Sequence, residues 1–307
     1  MELSGLHLLL TYQCNFECDH CFVWGSPRQS GTMSLEKIRT VLQQASETGT
    51  IEWIYFEGGE PFLYYVLLMK GVQLAAELGF KVGIVSNSYW ATSVEDAREW
   101  LRPFVGLVGD LSISSDFYHW SELISQQAKN ARSAAEQLGI PIGYIQIRQP
   151  DSASTEEPGT TVMFRGRAVS SLVAKAPHRP WRQFTTCPYE DLVEPERMHL
   201  DPLGNLQICQ GISLGNVFET PLVEILRNFD PLQHPITGPL IAGGPVELVR
   251  RYKLPHLAGY ADACHLCYEA RLALRHRFPS ILMPDQTYGI FDGTSNVYVQ
   301  VGERNPD

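Results

Sequence analysis

No apolar run in this 307-residue sequence approaches the roughly 18 residues needed to cross a membrane, which excludes a membrane-spanning helix from the reading. The first apolar run, residues 6–10, is too short for a signal-peptide core and leads into cysteines, not into a small-residue cleavage site. A cytoplasmic location is expected. Positive charge is scarce: 24 Lys and Arg stand against 34 Asp and Glu, a formal net charge of −10. Nucleic-acid binding rests on several Lys and Arg contacts to phosphate, so nucleic acid is not an expected partner. Internal repeats and low-complexity segments are also missing. What remains, 44% hydrophobic and 19% charged, is the composition of a soluble globular protein. At this length it can bury a sizeable core as one large domain or two smaller ones.

From residue 6 to about residue 165, short apolar runs alternate with helical periodicity. The runs 6–11, 51–56, 81–86, 107–114, 142–148 and 160–165 read as strands. Between the first two, Ser34 can cap a helix in which Leu35, Ile38, Leu42 and Ala45 recur at helical spacing, and Gly49 ends it. Further helices are expected at about 64–78, stopped by Gly79, at 94–101, and at 119–138, followed by Gly139. Strands alternating with helices imply an α/β fold with a parallel sheet and ligand chemistry at the carboxyl ends of its strands. The stretch 149–159 is polar and carries two prolines, so it reads as a loop. After residue 168 the alternation stops: 197–201 and 205–209 form an expected hairpin, and a short helix follows at about 222–228. The expected division is 1–168, a smaller second domain at 169–292 and a polar tail at 293–307.

Seven cysteines in a chain without a secretory signal read as metal ligands, because cytoplasmic thiols are kept reduced. Cys14, Cys18 and Cys21 directly follow the first strand, so three thiolates share one loop at its carboxyl end. Three cysteines at C-x3-C-x2-C suit a 4Fe-4S cluster with one iron left open, whereas a structural zinc site wants four closed ligands. At the end of the second strand stand Phe56, Glu57, Gly58, Gly59, Glu60 and Pro61. Adjacent glycines let backbone approach a ligand closely, and proline fixes the chain where it leaves the strand.

The two motifs, in this order, resemble the radical S-adenosylmethionine superfamily. The resemblance implies a partial (β/α)6 barrel in which the open iron chelates the amino and carboxylate groups of S-adenosylmethionine. One electron then breaks a carbon–sulfur bond, and a 5′-deoxyadenosyl radical removes a hydrogen atom from the substrate. It also implies that Gly58, Gly59, Glu60 and Pro61 bind the cofactor's amino group and that His20 lies near its adenine. Ser86 and Asn87 at the third strand end, Ser112 and Ser114 at the fourth and Arg148 at the fifth match positions that contact ribose and carboxylate. Each is equally a strand-end polar residue that satisfies nearby backbone.

Cys187, Cys209, Cys264 and Cys267 make a complete four-thiolate set, open to zinc or to iron–sulfur. The text from Met198 to Cys209, then Leu214 to Val217, resembles the twitch and SPASM auxiliary-cluster domains of such enzymes, which implies one auxiliary 4Fe-4S cluster. His265, between two proposed ligands, reads as a residue supporting them. Asp116 can act as a general base facing a substrate cavity, or as a carboxylate at the start of the helix that follows it. Arg165 and Arg167, on either side of Gly166, can anchor an anionic group or cap the sheet.

The expectation is an oxidoreductase that takes two electrons from a small molecule or short peptide and is fed by a reducing protein such as flavodoxin or ferredoxin. The first strand begins at about residue 6, leaving no room for an N-terminal peptide-recognition domain, which favours a small molecule or a short unaided peptide. A peptide-modifying maturase is the alternative. A non-catalytic zinc or electron-transfer protein would explain the cysteines but not the Gly-Gly-Glu-Pro motif.

Overall fold

The computed structural model describes residues 1–150, 159–291 and 294–295. Most of the loop expected at 149–159 and most of the tail expected from 293 lie outside the described residues. The strands are β1 (Gly5–Thr11), β2 (Trp53–Gly58), β3 (Lys81–Ser86), β4 (Val108–Ser114), β5 (Ile142–Ile145), β6 (Ile147–Arg148), β7 (Thr160–Thr161), β8 (Arg179–Pro180), β9 (Arg197–Leu200), β10 (Asn205–Cys209), β11 (Ile212–Asn216), β12 (Gly259–Tyr260), β13 (Ile290–Phe291) and β14 (Thr294–Ser295). The helices are α1 (Leu35–Thr48), α2 (Tyr65–Glu77), α3 (Val94–Leu101), α4 (Gln126–Leu138), α5 (Arg167–Ser171), α6 (Leu222–Asn228), α7 (Thr237–Tyr252) and α8 (Ala263–Leu274).

Eight strands form one sheet in the order β11-β10-β9-β1-β2-β3-β4-β5. From β9 to β5 every neighbour is parallel, whereas β10 runs antiparallel to both its neighbours, β9 and β11. The hairpin of residues 197–209 therefore extends the same sheet through β9, which pairs with β1. Helix α1 starts where the Ser34 hydroxyl accepts the Lys37 N–H and ends at Gly49, whose φ of 69° suits a residue without Cβ.

Side chains alternate across the sheet with the two-residue period of a strand. Leu6, Leu8, Ile54, Phe56, Ile84 and Leu111 pack into the main core with Ile38, Leu42, Leu68 and Val72 of the helices. The opposite face carries His7, Tyr55, Glu57, Asp110, Ser112 and His199, and these line a cavity of about 680 Å³. A parallel sheet covered on only one face by helices thus leaves its polar face around a concave space.

Two boundaries differ from expectation. The run 142–148 splits at Gln146, because the Asp116 carboxylate accepts the Ile147 N–H at 3.1 Å and the Gln146 carbonyl accepts Thr160 N–H at 3.0 Å. β6 consequently leaves the main sheet and pairs with β7, to which the strand expected at 160–165 is reduced. The helix expected from residue 119 begins at Gln126, capped by the Ser125 hydroxyl, so Asp116 does not stand at a helix N-terminus.

Candidate functional site

The loop after β1 brings Cys14, Cys18 and Cys21 onto the wall of the large cavity, and all three are free thiols. Its path is held by its own backbone: Cys14 N–H donates to the Ser26 carbonyl and Cys21 N–H to the Cys18 carbonyl, each at 3.0 Å. The Arg167 guanidinium spans the loop, donating to the carbonyls of Cys18 and Gly25, each at 2.7 Å. Donors also aim at sulfur. Phe16 N–H lies 3.4 Å from Cys14 Sγ, and Gly25 N–H lies 3.1 Å from Cys21 Sγ. Burial pushes the Cys14 thiol up to about 12 and raises Cys18 further, with the neighbouring cysteines adding to the Cys18 shift. Buried sulfurs that repel one another as anions but receive amide donors fit thiolates shared by a soft metal centre.

Gly58 and Gly59 also line the cavity, and their lack of a Cβ is needed for packing against the β1 end. A Cβ on Gly59 would stand 2.1 Å from the Gln13 carbonyl oxygen, and one on Gly58, at φ 141°, 2.4 Å from that of Thr11. Both close approaches are thus to the chain itself. Glu60 and Pro61 do not line the cavity among its described residues. Glu60 is fully buried and ties β2 to β3: its carboxylate accepts from Phe62 N–H, Ser86 Oγ and Asn87 N–H at 3.0, 2.9 and 2.8 Å. Burial nevertheless pushes its carboxyl up to about 7.

Ser86, Asn87, Ser112 and Ser114 all face the cavity. Asn87 Nδ2 reaches the Cys14 sulfur at 3.7 Å and Asn15 Oδ1 at 2.9 Å. Arg148 does not line the cavity, and its Nε is buried without a partner among the described residues. His20 does line it, stacked on Tyr118 at 4.6 Å, and burial lowers its imidazole to about 3, so it is neutral.

Asp116 has no exposed surface and is not among the cavity's lining residues. It accepts from Tyr118 N–H, His119 N–H and Ile147 N–H and lies 2.8 Å from His119 Nδ1. Burial alone would raise its carboxyl, but His119, His20 and the backbone donors hold it below the ordinary value. Asp116 thus gathers the loop behind the cavity by hydrogen bonds and does not open onto the cavity.

The second cysteine group converges on a separate small cavity lined by Cys187, Cys209, Cys264 and Cys267. Cys209 ends β10, while Cys264 and Cys267 lie in the first turns of α8, whose Asp262 cap accepts the His265 N–H. Two arginines face this space. Arg165 pairs with Glu190 at 2.9 Å and reaches Cys209 Sγ at 3.5 Å. Arg271, 1% exposed, contacts the Gln210 carbonyl and the Tyr288 hydroxyl, and its Nε has no partner among the described residues. A buried guanidinium beside neutral thiols lacks compensating charge, whereas thiolates around a metal centre would supply it. His265 does not line this space. It pairs instead with Glu269 at 3.1 Å.

Sequence reasoning missed His7, Glu57, His119, His199, Tyr55, Asp110 and Gln210, which all line the large cavity. One signal was available: His7 and Glu57 interrupt otherwise apolar strands at positions of the same parity as the cavity face.

Residues 8–121 match the Radical SAM superfamily. The chain is 33% identical over 122 residues to YydG of Bacillus subtilis (strain 168), a protein named for peptide biosynthesis; the match covers 39% of this chain and 38% of YydG. It is 23% identical over 161 residues to an S-adenosylmethionine-dependent nucleotide dehydratase of Fibrobacter sp. (strain UWH6), covering 50% of this chain and 44% of the dehydratase. The matches thus span less than half the length of these curated relatives. Among solved structures, BtrN in complex with AdoMet and 2-DOIA aligns at a TM-score of 0.47 and 16% identity, covering 74% of this chain and 84% of BtrN.

Proposed function

We propose that this chain, which carries a radical SAM domain in residues 8–121, is an enzyme whose Cys14, Cys18 and Cys21 hold a catalytic 4Fe-4S cluster beside S-adenosylmethionine. The observation that carries the reading is the position of these three free thiols: they open, with Gly58, Gly59, Asn87, Ser112 and Ser114, onto one cavity at the carboxyl ends of parallel strands. When bound, that pair of cofactors supplies one-electron cleavage of a carbon–sulfur bond and with it a species able to take a hydrogen atom from a substrate.

The chain's own residues hold and shield. Arg167 and the Ser26 carbonyl fix the cysteine loop, Asn87 and the amides of Phe16 and Gly25 donate to its sulfurs, and neutral His20 stacked on Tyr118 offers a flat face for a purine. Cys187, Cys209, Cys264 and Cys267 would hold one auxiliary 4Fe-4S cluster in a twitch-like unit within residues 169–292, with the buried charge of Arg271 supporting an anionic centre there. Zinc in this four-thiolate site is the competing assignment.

Dividing seven cysteines into three and four leaves no free thiol to return a hydrogen atom to a substrate radical. The product in this reading is two electrons more oxidised than the substrate: one electron leaves with the abstracted hydrogen atom, and the second, released with a proton, would pass to the auxiliary cluster; flavodoxin or ferredoxin is the class of reductant for cofactor cleavage. A small molecule or a short peptide is the substrate class of this reading. The similarity to a relative named for peptide biosynthesis supports a peptide as the second reading.

The test is anaerobic metal analysis with a cofactor-cleavage assay. Two four-iron clusters per chain and formation of 5′-deoxyadenosine are expected. Replacing Cys14, Cys18 and Cys21 together by Ala should abolish cleavage and leave about half the iron. Cleavage that persists in the triple variant, or zinc without cleavage in the native chain, overturns the reading.

A further inference from the structure

Three polar side chains on the cavity wall have no part in the reading above. His7 and His199 are register partners on the paired strands β1 and β9, and Glu57 projects from β2 on the same face. Glu57 Oε2 lies 3.2 Å from His7 Nδ1, and Oε1 lies 3.1 Å from His199 Nε2. One ligand atom from each residue lies within 4.8 Å of the other two. The His7 ring is held by stacking on Tyr55, with centroids 4.6 Å apart and planes at 16°. Burial alone would raise the Glu57 carboxyl, but the two imidazoles hold it well below the usual carboxylate range.

A second observation comes from Gln210, which lines the same cavity, is 3% exposed and has an Oε1 without a hydrogen-bond partner. A buried polar atom left unpaired is costly, which points to a missing partner or to a turned amide. Its Nε2 lies 3.3 and 3.4 Å from the two ring nitrogens of His199. Amide oxygen and nitrogen are nearly equal in shape. With the amide turned, Oε1 faces the His199 ring in place of Nε2 and accepts from the ring nitrogen that carries the proton. Glu57 Oε1 is itself buried without a hydrogen-bond partner among the described residues although His199 Nε2 lies 3.1 Å away, and a cation shared by the two atoms would satisfy both. An imidazole whose far nitrogen is held by a hydrogen bond is the usual support of a metal-bound histidine.

We propose that His7, Glu57 and His199 bind a divalent transition-metal ion on the cavity wall, leaving coordination positions open toward the cavity for an oxygen or nitrogen donor of a substrate. Two imidazoles and one carboxylate, with no thiolate, suit Mn²⁺, Fe²⁺ or Zn²⁺. The proposal does not depend on what the cysteines hold, and the probe is chosen accordingly: Mn²⁺ prefers oxygen and nitrogen donors and binds thiolates poorly.

The full chain, purified anaerobically with its native cysteine-bound metal, is titrated with Mn²⁺ and bound ion is read by electron paramagnetic resonance. One tight Mn²⁺ per chain is expected. It should be lost in Glu57→Gln and in His199→Gln and retained in Asp116→Asn, which disrupts the other His–Asp–His group, His20, Asp116 and His119. Native circular dichroism and a cooperative thermal transition show that a variant is folded; if Glu57→Gln fails this check, His7→Gln and His199→Gln decide. Absence of a stoichiometric site, a site that survives these substitutions in folded protein, or one that disappears in Asp116→Asn overturns the proposal. An unchanged iron content alongside lost Mn²⁺ separates this site from the cysteine-bound centres.

Discussion

Glu60 shows how a single side chain can serve a site without facing it. It is sealed between the ends of β2 and β3, and its three donors position Ser86 and Asn87, of which Asn87 reaches the Cys14 sulfur. Burial favours the neutral acid, with a folded-state value of about 7 against 4.5 for the ordinary group. A raised folded value means that the stabilising contribution is complete below about pH 4.5 and is lost as pH rises through about 7. Glu60→Gln cannot titrate, so the thermal midpoint of the native chain should fall relative to this variant between pH 4.5 and 7 and then run parallel. A difference that does not change across that window would show that the three donors outweigh burial. Arg271 supports a second prediction at this scale. Without metal its buried charge faces neutral thiols, so Arg271→Met should leave the metal-free chain as stable or more stable. With metal bound, the same change removes a cation beside thiolates and should lower both thermal stability and the reduction potential of the centre. Parallel melts and a redox titration check both signs.

Among the elements, the segment between β4 and α4 matters most to the cavity. It carries Tyr118, which stacks on His20, and His119, which lines the cavity. One carboxylate organises it: Asp116 gathers the amides of Tyr118, His119 and Ile147 and thereby draws β6 out of the main sheet. Hydrogen bonds to a charged acceptor contribute roughly 1.5–3 kcal/mol. Asp116→Asn keeps one acceptor oxygen and loses the charge, so it should cost about 2 kcal/mol in denaturant unfolding and raise protease sensitivity within 115–125. An unchanged stability would mean that the amides find other partners. Ser125 acts one step later, where its hydroxyl caps α4 and its own N–H donates to Ser115. Ser125→Ala should cost about 1 kcal/mol without altering the cavity.

At the scale of the whole molecule, the decisive contact is the parallel pairing of β1 with β9. The strand that ends in the first cysteine group is flanked by β2 on one side and by residues from beyond 168 on the other. Leu6 and Leu8 of β1 share one core with Met198 and Leu200 of β9. A fragment of residues 1–168 would expose the edge of β1 and this apolar face. Exposed edges template aggregation, so the fragment should form oligomers or precipitate where the full chain stays monodisperse in size-exclusion chromatography. A soluble fragment with native circular dichroism would show that the first five strands suffice. The same pairing places His199 beside His7 and carries Cys209, at the end of β10, toward α8 and the second cysteine group.

By itself the sequence determined the alternation of strands and helices, because two-residue and 3.6-residue periods and the caps at Ser34 and Gly49 are local. It also determined that three cysteines share a loop at a strand end, since their spacing is covalent. The end of the fifth strand was not legible, because the Asp116 side chain, 31 residues away, took the amide that would have continued the ladder, and the start of α4 was not, because the same carboxylate holds the amides of Tyr118 and His119 ahead of it. Nor was the inner face of the cavity. His7, Glu57, His199 and Gln210 are far apart in the chain, and only the register of β9 on β1 and β2 beside it brings them together. Local pattern encodes which residues make an element and which face is polar. Which polar faces meet depends on strand order and register, which are set by burial of Leu6, Leu8, Phe56 and Leu200 on the other side of the sheet.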